Sequence, residues 1–395
     1  MRDSLRIFLV ASVLAGIAGC ATTRVSAPVV TQPSGPDENA ERMAHWQFDP
    51  SRPPAESDGY RPPNVLAVLL PMTGELAVPA ASVRDGLLAA YYGERRRRPE
   101  LRFYDTFGTG GGASAAYAKA IAEGADQIVG PLGREEVNAT LAAGQGNVPL
   151  LALNRGDTAI PRNAASFSLA PEDEGIGAAN YLIDRKALRI LVLSSGDDSA
   201  RRSSSALAAQ LQLHGGSVVQ TLAVVGDSST DMTGLLQGAA QAAGGIDGVF
   251  LALRGSQARP IAGQLIGAGL GAKPRVATSQ LLSGTGKAEE DKALDGIAFP
   301  TERWGVTPVS SLPNAAMTGQ TLPTARGPAA KLFAFGHDAW QVSAYLEHLA
   351  LASDSSLLGA TGTLRVGPEG NVIRMPAWST FSGGYVVPLT TGSGG

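Results

Sequence analysis

Between Val65 and Ala277 short apolar runs alternate with segments of helical spacing, and this rhythm restricts the chain to very few folds. Val65–Leu70 is a continuous apolar run ended by Pro71, the pattern of a parallel strand buried on both faces. Val78–Tyr92 follows with Val83, Leu87, Leu88 and Tyr91 at helical spacing. The alternation repeats: strands at Leu101–Tyr104, Gln127–Val129 and Val148–Leu153, helices at Ala113–Glu123 and Arg134–Ala143. After Ala170-Pro171 a second series begins. Helices are expected at Glu172–Asp184, Ala200–His214, Asp231–Ala243 and Gln257–Gly267, with strands at Arg189–Leu193, Ser217–Val224, Gly248–Leu253 and Arg275–Ala277. Strands alternating with helices of this length form βαβ units, so the fold class is α/β, with two doubly wound, Rossmann-like lobes.

The C-terminal part breaks the rhythm. Gly305–Pro328 reads as a long loop near where the chain crosses between lobes, and is expected to cover the cleft mouth. One helix is expected within Ala329–Ala352, with Phe335, Trp340 and Tyr345 as core. Thr363–Val366 and Val372–Met375 bracket a Gly-Pro-Glu-Gly-Asn turn and read as a hairpin. The first lobe is placed at about 64–168 plus part of 300–352. The second takes about 171–299 plus the C-terminal hairpin 360–389, and 390–395 is a tail.

The N-terminus carries a different signal. Arg2 and Arg6 precede the apolar run Ile7–Ile17, and Ile17-Ala18-Gly19-Cys20 resembles a bacterial lipobox. The run is shorter than the roughly 20 residues a spanning helix needs. Residues 1–19 are therefore expected to be a lipoprotein signal and Cys20, the single cysteine, a lipid attachment site. Residues 20–63 are proline-rich and lack apolar periodicity, the composition of a disordered tether reaching about 140 Å if extended.

Charge and motifs exclude several classes. The net charge of −3 leaves no basic face for nucleic acid. The run Arg95–Arg98 reads as a cationic helix end. The histidines, at 45, 214, 337 and 348, lack metal spacing. There is no G-x-S-x-G elbow and no G-x-G-x-x-G loop, so neither catalytic residues, a cofactor nor a metal is expected. What remains is a cleft at the C-terminal ends of the strands. Its candidate residues are Thr73, Gly130, Gly133, Arg134, Asn154 and Arg155 in the first lobe, and Thr278 and Ser279 in the second. Arg134 or Arg155 could grip an anionic small molecule there.

Several segments carry a family resemblance: "LAVLLPMTGELAVPAASVRDGLLAAYY", "YAKAIAEGADQIVGPLGREEV", "VPLLALN", "FSLAPEDEG", "RVATSQ", "FAFGHDAW" and "GATGTLRVGPEGNVIRMPAWSTFSGG". Together they resemble the C-terminal domain of the LpoA family of penicillin-binding protein activators, over about Val65–Leu389. The resemblance implies a type I periplasmic-binding-protein-like fold. It also implies an outer-membrane lipoprotein facing the periplasm, which stimulates a bifunctional class A penicillin-binding protein by contact and not by catalysis. The best-studied members also have an N-terminal helical repeat domain, for which 20–63 leaves no room; the tether is expected to supply the reach instead. The competing reading is a periplasmic solute-binding lipoprotein with an amino acid or anionic small molecule in the cleft.

Overall fold

The computed structural model describes residues 38–143, 148–226, 231–309 and 312–389. The signal, Cys20, the expected tether up to residue 37 and the tail 390–395 lie outside the described residues.

Helix α1 (Glu38–His45) opens the described chain. There follow β1 (Val65–Leu70), α2 (Ala77–Gly93), β2 (Glu100–Asp105), α3 (Gly110–Ala122), β3 (Gln127–Val129), α4 (Arg134–Ala143), β4 (Leu150–Ala152) and β5 (Ala164–Ser166). These strands pair in parallel in the order β2-β1-β3-β4-β5. Leu66 to Leu70 of β1 are fully buried, because helices cover both faces of the sheet.

The second lobe contains α5 (Pro171–Asp184), β6 (Arg189–Ser194), α6 (Asp198–Leu213), β7 (Ser217–Ala223), α7 (Thr233–Ala240), β8 (Gly248–Ala252), α8 (Gly255–Gly267), β9 (Arg275–Ala277), α9 (Ala288–Asp291) and β10 (Ala298–Thr301). The chain then returns through α10 (Arg303–Val306), α11 (Ala315–Thr321), α12 (Ala329–Ala344) and α13 (Leu346–Leu351). It ends with β11 (Leu357–Leu358), β12 (Thr363–Val366), β13 (Val372–Met375), β14 (Ala377–Ser382) and β15 (Tyr385–Pro388). The second sheet runs β15-β14-β10-β9-β8-β6-β7, so its parallel part, β7-β6-β8-β9-β10, repeats the order of the first. The lobes are two copies of one winding. Each reverses direction beside its first strand, at β1/β3 and β6/β8, where an open α/β sheet has its crevice.

Five strands escaped the periodicity, the short β5 and β11 and the three that build the second lobe's far edge, β10, β14 and β15. β10 contains Pro300, which lacks an N–H and argues against a strand. It pairs antiparallel with β14, Pro300 opposite Trp378, while its partnership with β9 is confined to Ala298 and Val276. β14 and β15 complete that edge.

The described chain is already folded from Glu38, well before the expected start at Asn64. Trp46 and Tyr60 are 7% and 2% exposed. Arg42, also buried, donates from Nη1 to the carbonyls of Val366 and Ala350, at 2.8 and 3.2 Å. Arg52 pairs with Asp126 at 2.8 Å, and Arg61 with Glu347 at 2.6 Å. The Arg95–Arg98 run serves the same segment. Arg96 stacks 3.7 Å from the centroid of Tyr60 and bonds Asp58, Glu94 and Tyr345, while Arg97 donates to the carbonyl of Pro63. Composition missed this because a few aromatic and guanidinium anchors, not an apolar face, hold the segment down.

The hairpin is also reassigned. β12 and β13 have the expected bounds, but with β11 they form a separate three-stranded sheet, and Leu364, Val366 and Val372 pack into the first lobe's core. Only β14 and β15 join the second lobe. The chain thus passes between lobes three times, before α5, after β10 and between β13 and β14.

Candidate functional site

The strand ends expected to face a ligand are engaged with the chain itself. In the first lobe the Thr73 hydroxyl donates to Asp105 Oδ2 at 2.8 Å. Gly130 has φ +98° and lies against Leu69, whose carbonyl oxygen a Cβ would overlap, so only glycine fits there. The Gly133 amide donates to Glu136 Oε2 at 2.6 Å. Glu136 is in the first turn of α4 and fully buried, so its carboxylate fills the helix N-terminus that an exogenous anion would need. Burial pushes its carboxyl above the usual range, against the pull of the Gly133 N–H. Arg134 donates from Nε to Asp157 at 2.8 Å, and Asn154 Nδ2 donates to the carbonyl of Leu132 at 3.0 Å. Arg155 makes an ion pair with Asp173 of α5, across to the second lobe. Burial pushes Asp173 up, while Arg155 and Arg374 pull it down.

The second lobe shows the same self-sufficiency with the opposite charge. Ser279, just past β9, donates its amide to Glu174 Oε2 at 2.8 Å and its hydroxyl to Oε1 at 2.6 Å. Lys331 of α12 donates from Nζ to Glu174 Oε1 at 2.8 Å and to Ser279 Oγ at 2.9 Å. Burial alone would raise the Glu174 carboxyl; Lys331 and Ser279 outweigh it and hold it below the usual carboxylate range. Beside this cluster is a cavity of about 110 Å³, lined by Ser199, Ser203, Thr278, Ser279, Gln280 and Lys331 among others. A site for a drug-sized ligand is roughly 300–1,000 Å³.

Thr278 and Ser279 are therefore brought together at the cavity, and the first-lobe candidates do not line it. None of the described residues of 305–328 lines it either. Val309, Leu312, Leu322 and Ala325 pack with Trp304 and Phe333, and Thr324 donates to Asp85 at 2.7 Å, so the described part of this segment clasps α2 and α12 and stays off the cavity. Glu174 and Lys331 were not singled out from sequence. Glu174 stood within the segment "FSLAPEDEG" and its partner Ser279 within "RVATSQ"; for Lys331 there was no signal. Among the described residues no group of three or more His, Cys, Asp or Glu could hold a metal ion.

Known proteins share this architecture. Full-length LpoA from Haemophilus influenzae superimposes with a TM-score of 0.72 at 20% identity, covering 90% of this chain and 62% of that one. A putative branched-chain amino acid ABC transporter protein from Chromobacterium violaceum gives 0.62 at 28% identity, over 80% of this chain and 99% of that one. By sequence, proteins named penicillin-binding protein activator LpoA match from Photobacterium profundum and Escherichia coli K12, each 26% identical, over 82% and 74% of this chain. They are matched over 56% and 48% of their own length, so the chain spans about half of these relatives. The family model described as LppC putative lipoprotein matches residues 60–384, and the chain belongs to that family.

Proposed function

We propose that this chain activates a class A penicillin-binding protein in peptidoglycan synthesis by direct contact, from the periplasmic face of the outer membrane, with Cys20 as its lipid anchor. The reading is supported by relatives named penicillin-binding protein activators, which align over 82% and 74% of this chain. The observation that carries it against a receptor is the self-filled cleft. Glu136 takes the anion position of one lobe, and Lys331 neutralises the buried carboxylate of the other. A protein that works by contact needs a defined surface, and a cleft closed on its own side chains provides one without a ligand.

The direct test is peptidoglycan polymerisation and crosslinking by the same organism's class A enzyme, with and without the chain. Faster synthesis together with co-purification supports the reading; neither effect sinks it. Anchoring is tested by acyl labelling and membrane fractionation of wild type against Cys20→Ser. The receptor reading draws on the 28% identity to the Chromobacterium violaceum protein. A thermal-shift screen with amino acids and peptidoglycan fragments addresses it, since saturation of a receptor site raises the melting temperature measurably.

A further inference from the structure

Lys331 is in an unusual place for a lysine. It is the third residue of α12, where the helix dipole disfavours a cation, and the helix offers it no acidic neighbour in its first turn. What holds it is across the lobe interface. α12 packs along α2 of the first lobe, whereas Glu174 belongs to α5 and Ser279 to the turn just past β9 in the second. The Nζ meets Glu174 Oε1 at 2.8 Å and Ser279 Oγ at 2.9 Å, with Glu302 Oε1 at 3.9 Å. Glu174 is 7% exposed, and its remaining oxygen is taken by the Ser279 amide.

We propose that Glu174 and Ser279 form a primary-ammonium binding site in the second lobe, and that Lys331 from the first lobe occupies it as a built-in ligand holding the lobes together. The chemistry is specific. A carboxylate and a hydroxyl oxygen converge on one nitrogen that carries several protons, and a quaternary ammonium, which has no N–H to donate, does not match this arrangement. The cavity of about 110 Å³ beside the pair gives a small amine room once the lysine stem is removed. The site stands on this geometry and does not depend on the activator reading.

The test is chemical rescue of the full chain. Lys331→Ala leaves Glu174 buried without its cation and is expected to melt about 3–8 °C below wild type. Methylammonium or ethylammonium should restore at least half of that loss in a concentration-dependent manner, while tetramethylammonium and ethanol should not. In Glu174→Gln/Lys331→Ala the amines should do nothing. X-ray scattering adds a readout of the lobes: the radius of gyration should rise in Lys331→Ala and fall again with ethylammonium. Should Lys331→Ala be too unstable to purify, refolding from urea reads the same site, with recovery dependent on the amine and on Glu174. An unchanged melting temperature in Lys331→Ala, no response to the amines, or an equal response in the double variant overturns the proposal.

Discussion

Gly86 and Gly336 face each other across the crossing of α2 and α12, each pressed on the other helix's backbone. A Cβ on Gly86 would overlap the carbonyl oxygen of Phe333, and one on Gly336 that of Val83. This crossing carries α12 onto the first lobe and places Lys331 at the interface. Gly336→Ala is therefore expected to destabilise the protein by about 2–4 kcal/mol despite alanine's better helix propensity. Urea denaturation measures it, and a neutral or stabilising result would show that the helices can separate without cost.

Residues 38–63 are part of the folded body, and removing them has a different consequence from shortening a linker. A chain starting at Asn64 loses Trp46 and Tyr60 from the core and the Arg42 bonds to Val366 and Ala350. It is expected to melt at least about 10 °C lower or to aggregate. Arg42→Ala alone should cost about 1–3 kcal/mol, because two main-chain carbonyls lose a charged donor. Equal melting temperatures for the two lengths would contradict the packing.

Asp338 organises the turn before β12. Its carboxylate accepts from the amides of Ala360 and Thr361 and from the Thr361 hydroxyl, at 2.6–2.7 Å, entirely out of solvent. Asp338→Ala strands three donors and is expected to cost about 3 kcal/mol or more. Asp338→Asn keeps the shape but turns one acceptor into a donor and should be intermediate. Near-ultraviolet circular dichroism and denaturation together check the ranking.

The Glu174 ion pair predicts a pH dependence of definite sign. The folded carboxyl titrates below its unfolded value, so the folded state releases the proton more readily. Its contribution is then complete above about pH 4.3 and is lost as pH falls through the lower folded value. The stability gap between wild type and Glu174→Gln should be widest near neutrality and narrow below about pH 4. Denaturation from pH 7 to pH 3 measures the gap, and a constant difference contradicts the ion pair.

Much of the architecture was legible along the chain. The buried run Val65–Leu70, the helix Arg134–Ala143 and the hairpin Thr363–Val366 with Val372–Met375 all follow from spacing over a few residues, which is where backbone geometry acts. β10 was hidden by Pro300, and the folded state of 38–63 was hidden by its composition. The candidate residues Thr278 and Ser279 were found by their place at a strand end, and their partners were not.

The amino-acid sequence by itself determined two doubly wound lobes, because continuous apolar runs and period-3.6 spacing are local properties written into neighbouring residues. Only the tertiary structure decided what occupies the space between them. Lys331 meets Glu174 from 157 positions away, and Arg42 meets Val366 from 324. A lysine has many carboxylates available in one dimension; which one it neutralises depends on how the helix crossing at Gly86 and Gly336 aims it. Charge pairing across a fold is set by packing, and packing is the part that spacing does not encode.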